Sequence, residues 1–257
     1  MSPRSKAEAS SVFDLAGVDR GLIESVAARV AEARDRIAQA GGNPERIRMV
    51  AVTKGFGPDE VAAALAAGLT DVGENYADEL LSKREAIGNA GTWHFLGSVQ
   101  RRKVSRLAPF VDCWQAIARA VEGEAISRHR NDLSRVGAGP AALAAGHHLE
   151  PPSLLVEVET TGLTGRGGCP PSEVSGLVAA LRQRGCRVDG LMTVAPPDDA
   201  AAARKAFDLV AGLRGELGLA ELSMGMSADL EQAVAAGSTM VRLGTALFGP
   251  RPQRPRL

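Results

Sequence analysis

The segment Ile47-Arg-Met-Val-Ala-Val-Thr53 is followed by a helical pattern at 58–67 that ends at Gly68. Short runs rich in Val, Ile and Met are typical of buried strands. Proline at the first helical position and glycine just past the last one are typical boundaries of a helix. The segment therefore predicts one strand–helix unit of an α/β fold.

The same alternation continues along the chain. Strands are predicted near 47–53, 71–73, 92–96, 110–115, 154–159, 187–193, 221–224 and 239–243. Eight strands with helices between them, in 257 residues, favour a single TIM-type (β/α)8 barrel, whose usual size is about 250 residues. A doubly wound open sheet is the alternative, because it has the same alternation of strands and helices.

One domain accounts for most of the chain. Residues 1–18 are predicted as a polar tail, 19–251 as the barrel with an extra N-terminal helix, and 252–257 as a proline- and arginine-rich C-terminal tail. The extra helix follows from apolar residues at helical spacing between Ile23 and Val30. The segment 131–152, rich in Gly, Ala and Pro, is predicted as a surface loop.

Composition excludes several classes of protein. The 30 basic and 30 acidic residues cancel, so the net charge gives no reason to expect nucleic acid or an anionic membrane as the partner. Cys113, Cys169 and Cys186 are too widely spaced for a C-x-x-C motif, and their odd number argues against a disulfide framework. No apolar stretch is long enough for a signal peptide or a membrane span. We expect a soluble, cytoplasmic protein.

Lys54 is the first candidate for chemistry. It follows the apolar run of the first strand, and in a barrel the carboxyl ends of the strands face the active site. An amine held beside apolar walls has a lowered pKa and can attack a carbonyl group as a nucleophile. A solvated lysine at the start of a loop is the alternative, and it is the commoner situation for this residue type.

Two further clusters follow the seventh and eighth strands. Ser223 and Ser227 belong to the first cluster, and Ser227 is predicted to cap a helix at 228–236. Gly244 and Thr245 belong to the second. TIM barrels place phosphate groups at the loops after these two strands. Ordinary capping and turn chemistry also explains each residue singly, so the residues alone leave both interpretations open.

Arg242 and His94 are charged or titratable residues inside predicted strands. Arg242 shares a strand face with Met240, and a guanidinium buried there needs a partner. That partner belongs either to a structural ion pair or to a functional site. His94, beside Trp93 and Phe95, is interpreted as a hydrogen-bonded core histidine.

Several phrases of the sequence together resemble one family. They are Ala51-Val-Thr-Lys54, Gly73-Glu-Asn-Tyr76, Trp93-His-Phe-Leu-Gly97, Gly190-Leu-Met192, Leu222-Ser-Met-Gly-Met-Ser227, Gly237-Ser-Thr-Met-Val-Arg-Leu-Gly-Thr245 and Phe248-Gly-Pro-Arg251. Occurring in this order, they resemble the pyridoxal phosphate homeostasis proteins, single barrels similar to the N-terminal domain of alanine racemase. The resemblance extends over roughly 46–251 and implies a fold type III pyridoxal-phosphate barrel.

The resemblance also implies a cofactor, pyridoxal 5′-phosphate, and the residues that hold it. Lys54 would form the internal aldimine, Ser223, Ser227, Gly244 and Thr245 would hold the phosphate, Arg242 would face the pyridine nitrogen, and Asn75 would lie near the ring. An arginine at the ring nitrogen keeps that nitrogen unprotonated, which weakens the ring as an electron sink.

Two positions depart from the family pattern. Phe56 stands where family members often carry a second lysine, two residues after the first. The stretch Thr161-Gly-Leu-Thr-Gly-Arg166-Gly-Gly168 replaces a Ser-Lys-Ser-Gly-like sequence. Arg166 would have to take over as the charge that attracts phosphate.

The function implied by the resemblance is that of a carrier that binds pyridoxal phosphate reversibly. It would buffer the cofactor or deliver it to apo-enzymes, as a monomer and without substantial amino-acid turnover. A racemase-like enzyme is the alternative, but only 252–257 follow Arg251, too little for the second domain that helps racemases supply an opposing base. A Schiff-base aldolase or sugar-phosphate isomerase barrel that uses Lys54 without a cofactor is a third hypothesis.

Overall fold

A computed structural model of the chain describes residues 17–135, 150–163 and 165–252. Eight parallel strands form a closed barrel in which each strand pairs with its neighbour in sequence and the eighth returns to the first. The strands are β1 (Arg48–Val52), β2 (Asp71–Glu74), β3 (Thr92–Phe95), β4 (Cys113–Ile117), β5 (Ser153–Val158), β6 (Val188–Thr193), β7 (Glu221–Ser223) and β8 (Met240–Leu243). The closure of the sheet confirms the barrel and excludes the open sheet.

Helices follow the strands and cover the outside of the barrel. They are α1 (Arg20–Gln39), α2 (Pro58–Ala66), α3 (Ala77–Ile87), α4 (Arg101–Leu107), α5 (Ala120–Arg135), α6 (Val174–Gln183), α7 (Ala200–Glu216), α8 (Leu230–Ala235) and α9 (Thr245–Phe248). The predicted extra helix is α1. Asp19 caps it by accepting a hydrogen bond from the Gly21 N–H. Its buried side chains, among them Val26, Val30 and Ile37, belong to the same apolar cluster as residues of α2 and α8.

The core has an apolar outer layer and a more polar interior. Between the strands and the helices lie fully buried side chains such as Trp93, Ile126, Leu181 and Phe207. Inside the barrel, the side chains of Cys113, Ala116, Leu155 and Met192 form a small apolar cluster. The buried side chains of His94, Gln115, Ser223 and Arg242 are joined by hydrogen bonds next to this cluster.

The fourth strand lies further along the chain than the sequence predicts. It covers Cys113–Ile117, whereas the apolar run at 110–115 predicted an earlier start. The amides of Phe110 and Val111 both donate to the Leu107 carbonyl and so complete the turn after α4. The buried Val111 and the partly buried Phe110 therefore belong to a helix end, and the pattern of apolar residues alone does not distinguish this from a strand.

The prediction of a surface loop at 131–152 is wrong for its first five residues. Helix α5 continues to Arg135, so residues 131–135 are helical, while 136–149 lie outside the described residues. Arg130 is buried in this last part of the helix, where it donates to the carbonyls of Glu150 and Val111. Tertiary hydrogen bonds thus outweigh the weak helix propensity of Asn131.

Most of the two predicted tails, 1–16 and 253–257, also lies outside the described residues. Within the part that is described, no helix combines the length and apolar character that crossing a bilayer requires. Cys113, Cys169 and Cys186 are free and buried.

Candidate functional site

A cavity of about 820 Å³ opens at the carboxyl ends of the strands. Six of the seven predicted site residues line it, with Arg242 in its floor, and Ser223 is the exception. The lining residues that carry polar or charged groups include Lys54, Asn75, Glu157, Arg166, Ser227, Asp229, Arg242, Thr245 and Arg251. The loops after several different strands thus contribute chemistry to one space, as in other TIM barrels.

Lys54 lies two residues after the end of β1 and is half-buried in this cavity. Burial lowers the pKa of its amine, because the apolar surroundings disfavour the ammonium form. The positive charges of Arg251 and Arg242 lower the pKa further, whereas the carboxylate of Glu74 opposes them. The sequence-based expectation of a lowered pKa at Lys54 agrees with this environment.

Arg242 is a buried cation held by neutral acceptors. Its Nη1 donates to the carbonyl and the hydroxyl of Ser223, both at 2.8 Å, and its Nη2 donates to the carbonyl of Thr193 at 2.7 Å. Burial lowers the pKa of Arg242 to about 10, against the opposing charges of Asp229 and Glu157. The guanidinium is therefore still charged at neutral pH. The acceptors that hold Arg242 in place are neutral, so the structural ion pair that the sequence offered as one alternative is not formed with them.

Ser223 lies below the cavity, in the barrel interior. Its hydroxyl is fully buried, donates to Gln115 Oε1 at 2.6 Å and accepts from Arg242, and the residue does not line the cavity. The sequence placed Ser223 with the phosphate-binding residues because it sits at the end of β7. In this structure the single proton of the hydroxyl is donated to Gln115 inside the barrel and Ser223 does not face the cavity, so its contact with the phosphate stays a prediction.

A chain of hydrogen bonds continues from Ser223 through the barrel. Gln115 Nε2 donates to His94 Nδ1 at 2.8 Å, and His94 Nε2 lies 2.8 Å from Asp71 Oδ1. Since an amide nitrogen can only donate, His94 accepts at Nδ1 and donates from Nε2. His94 is thus the satisfied core histidine that the sequence suggested. Through Ser223, the chain also fixes the position of Arg242.

Ser227 and Thr245 form a polar pair at the cavity edge. The Thr245 hydroxyl donates to Ser227 Oγ at 3.1 Å, and the Ala246 N–H donates to the same oxygen at 3.1 Å. Gly244 precedes them and packs so closely on β1 that a Cβ there would lie 3.3 Å from the Val52 carbonyl. Two hydroxyls and an amide therefore meet where the loops after β7 and β8 join.

The predicted role of Ser227 as a helix cap is wrong. Helix α8 begins at Leu230 with Asp229 as its N-cap residue, and Ser227 lies in the preceding turn. Gly225 sets this turn with φ +96, and a Cβ at that position would meet Ala233 Cβ at 2.5 Å. The tight passage over α8 turns Ser227 away from the helix and towards the loop after β8.

Asn75 brings an unsatisfied polar atom into the cavity. Its Oδ1 is buried and has no hydrogen-bond partner within the described residues. The backbone around it is fixed, because Gly97 approaches so closely that a Cβ there would lie 2.1 Å from the Asn75 carbonyl oxygen. A buried amide without a partner is costly in a protein interior, so this group is suited to a ligand.

The two positions that depart from the family pattern both line the cavity. Phe56 makes an aromatic contact with Phe248, with ring centroids 5.2 Å apart. Arg166 is exposed and reaches the cavity from the loop after β5, whereas the Ser227–Thr245 pair comes from the loops after β7 and β8.

Sequence reasoning missed several groups. Gln115 orients Ser223, Glu157 brings a carboxyl group into the cavity, and the Ala246 amide contacts Ser227. Burial raises the pKa of Glu157, with Arg242 and Arg166 opposing the shift. Glu157 is the next-to-last residue of β5, so its position near the end of a strand would have pointed to it. The backbone amide of Ala246, by contrast, leaves no signal in the sequence. No cluster of metal-ligating side chains occurs in the described ranges.

Comparison with known proteins agrees with this geometry. The sequence profile of the alanine racemase N-terminal domain matches residues 24–252. Pyridoxal phosphate homeostasis proteins of Deinococcus radiodurans and Pseudomonas aeruginosa are 37% and 34% identical, and the alignments cover 87% and 90% of this chain and 99% and 96% of theirs. The structure of PipY from Synechococcus elongatus with PLP bound superposes with a TM-score of 0.71 at 28% identity, over 87% of this chain and 100% of PipY. The chain therefore belongs to the alanine racemase N-terminal domain family and, within it, to the pyridoxal phosphate homeostasis proteins.

Proposed function

We propose that this protein binds pyridoxal 5′-phosphate reversibly at Lys54 and serves as a carrier that buffers and delivers the cofactor. The observation that carries the proposal is the position of Lys54: its amine, with a lowered pKa, opens into the cavity that Arg242 and the Ser227–Thr245 pair also line. The names of the relatives and the PLP bound to PipY support the same cofactor.

The residues of the cavity fit this cofactor. When bound, pyridoxal phosphate supplies an aldehyde that forms a Schiff base with a lysine and a ring that can withdraw electrons. The lowered pKa of Lys54 increases the fraction of its amine that is unprotonated, and the unprotonated form is the nucleophile. Ser227, Gly244 and Thr245 are proposed to hold the phosphate, with the Ala246 amide as an additional donor. Asn75, whose Oδ1 has no partner among the described residues, is proposed to lie against the ring.

Arg242 favours a carrier over an enzyme. Its contacts with Ser223 and Thr193 fix the guanidinium in the floor of the cavity, and it keeps its charge at neutral pH. A cation that can only donate hydrogen bonds disfavours a proton on a facing pyridine nitrogen. An unprotonated ring is a weak acceptor for the electrons that racemisation or transamination must place on it.

The proposal extends to partners and location. We propose that the protein acts as a monomer in the cytoplasm and that apo-enzymes that require the cofactor receive it. Free, buried thiols at Cys113, Cys169 and Cys186 suit a reducing compartment.

The test is an absorbance spectrum of the purified protein with added pyridoxal phosphate, before and after borohydride reduction, followed by mass mapping of the adduct. We expect a band near the visible edge and a reduced adduct on Lys54. The Lys54→Ala variant should lose both, and Lys205→Ala, at an exposed position, is the matched control. An adduct on Lys83, Lys103 or Lys205 would contradict the proposal, and a protein that forms no chromophore would favour a cofactor-free barrel.

A second measurement addresses delivery. The holo-protein is mixed with an apo-enzyme that requires the cofactor, and the recovery of that enzyme's activity is compared with recovery from an equal amount of free cofactor. Transfer that continues when a scavenger removes free pyridoxal phosphate would support delivery. Complete inhibition by the scavenger would leave buffering as the role.

A further inference from the structure

A buried lysine other than Lys54 reaches the barrel mouth from the outside. Lys83 lies on α3, and its side chain is only 4% exposed. Its Nζ donates to the carbonyl of Thr53 at 2.6 Å and forms an ion pair with Glu74 on β2. The Thr53 hydroxyl also donates to Glu74 Oε1, at 2.8 Å. Lys83 therefore binds the backbone group that directly precedes Lys54.

Glu79 holds the backbone on the other side of Lys54. It lies one turn before Lys83 on α3, with its Oε2 3.6 Å from Lys83 Nζ. The same carboxylate accepts a hydrogen bond from the Gly55 N–H at 2.8 Å. Gly55 has φ +79, a conformation that glycine adopts without strain. One cluster of three charged side chains thus holds the carbonyl before Lys54 and the amide after it.

Stability alone does not explain such a cluster. Ionised side chains lose hydration when they are buried, and a buried ion pair is often no more stabilising than apolar residues of the same volume. The cluster binds the backbone next to Lys54, and the position and charge state of Lys54 matter for the proposed function. The negative charge of Glu74 acts on the Lys54 amine, and Lys83 neutralises that charge at close range.

We infer that Lys83, Glu74 and Glu79 are positioning residues for Lys54: they hold the backbone on both sides of it and keep the charge beneath its amine balanced. This inference rests on the proposed role of Lys54 as the attachment point. None of the three side chains lines the cavity. Lys83 acts through the Thr53 carbonyl and through Glu74, and Glu79 acts through the Gly55 amide.

The charges that act on Lys54 define the expected effect. Arg242 on β8 and Arg251 after α9 are positive, and Glu74 on β2 is negative but paired with Lys83. If Lys83 loses its charge, Glu74 keeps the hydrogen bonds from the Thr53 hydroxyl and the Asn75 N–H but has no cation paired with it. Burial raises the pKa of this carboxyl, and its ionised form then acts on Lys54 without a neutralising partner. An unpaired carboxylate favours the ammonium form, so a smaller fraction of Lys54 is the reactive free amine at neutral pH.

The experiment measures the amine in the protein without cofactor. Acetic anhydride at trace concentration labels lysines over a range of pH, and mass spectrometry gives the labelling of Lys54 relative to the exposed Lys205. For Lys83→Met we expect relative labelling of Lys54 at pH 7 to fall about tenfold, the change that one pKa unit produces well below the midpoint. The double variant Glu74→Gln/Lys83→Met removes both charges and should restore labelling to near the wild-type level.

Glu79 separates backbone positioning from charge. Glu79→Gln keeps an acceptor for the Gly55 amide, whereas Glu79→Ala removes it. We expect Glu79→Ala, and not Glu79→Gln, to lower the fraction of protein that gives a reduced adduct on Lys54 at limiting pyridoxal phosphate. If Lys83→Met alone does not fold, the two Glu79 variants and the double variant Glu74→Gln/Lys83→Met still test whether the cluster positions Lys54.

Two results would overturn the inference. One is a folded Lys83→Met protein whose Lys54 labels as in the wild type. The other is a double variant that labels as poorly as the single one, because the effect would then be general loosening of the structure. The labelling of Lys54 is measured without cofactor. A wild-type protein that forms no adduct with pyridoxal phosphate would therefore refute the proposed function, while the labelling would still test the positioning of Lys54.

Discussion

Arg242 Nη1 donates a hydrogen bond to Ser223 Oγ at 2.8 Å, and that hydroxyl in turn donates to Gln115 at 2.6 Å. The serine at the end of β7 is therefore a support for the arginine, and the serine four residues later faces the cavity. Two serines in one short motif thus have separate surroundings, one in the barrel interior and one at the edge of the cavity.

Replacing Ser223 tests the first role. Ser223→Ala leaves an Arg242 N–H and the Gln115 Oε1 without this partner in a fully buried site. A buried group left unsatisfied costs about 1–3 kcal/mol, which in a domain of this size lowers the melting temperature by roughly 2–12 °C. Thermal unfolding of the cofactor-free protein measures the change. The half-buried Ser227→Ala variant is the control, and an equal decrease there would contradict the assignment.

Ser227 and Thr245 are expected to matter for the phosphate. A hydrogen bond to a charged group contributes about 1.5–3 kcal/mol, so Ser227→Ala or Thr245→Val should weaken binding of pyridoxal phosphate about tenfold or more. Titrations followed by absorbance give the dissociation constants. Pyridoxal, which lacks the phosphate, is the comparison ligand, and its affinity should stay the same in both variants. A parallel loss of affinity for pyridoxal would place these hydroxyls elsewhere in the site.

The order of strands along the chain could be predicted because each apolar run is short and bounded by helix signals. The runs at β1, β2 and β3 end within a residue or so of the observed strands, and Lys54 is at the cavity for that reason. At β4 the prediction is shifted, because the apolar residues Phe110 and Val111 at a helix end give the same pattern as residues of a buried strand.

Directions of side chains were harder to predict than positions. Ser223 and Ser227 both belong to a serine-rich motif after β7, and only the turn at Gly225 decides which of them faces the cavity. The cluster of Lys83, Glu74 and Glu79 depends on a contact between α3 and the loop after β1. Such a contact between separate elements has no periodicity in the sequence from which it could be predicted.

The charge of Arg251 should be measurable at Lys54. Arg251 is exposed, its side chain lies over Gly55, and its positive charge lowers the pKa of Lys54. A nearby cation disfavours the ammonium form, so removing it in Arg251→Ala should raise the pKa and shift the labelling profile of Lys54 to higher pH. Arg251→Lys should keep the wild-type profile. Because Arg251 is exposed, high salt should reduce the difference between wild type and Arg251→Ala, and a difference that persists in salt would point to a change of structure.

Amino-acid turnover is the property that separates a carrier from an enzyme. Racemisation needs a ring that accepts electrons and a base on each face of the substrate. Arg242, charged and held by Ser223 and Thr193, opposes the first requirement. Several acids line the described part of the cavity, and Glu157, whose pKa is raised by burial, is the one we test for part of the second requirement. We therefore expect incubation of the holo-protein with D- or L-alanine to give neither the opposite enantiomer nor a keto acid at a rate near the ~10 s⁻¹ typical of enzymes.

Chiral chromatography and a keto-acid assay measure both products, and exchange of the α-proton in deuterated water measures the first step alone. Slow exchange that disappears in Glu157→Gln would be residual chemistry at the cofactor, whereas turnover at an enzymatic rate would make this protein a racemase-like enzyme.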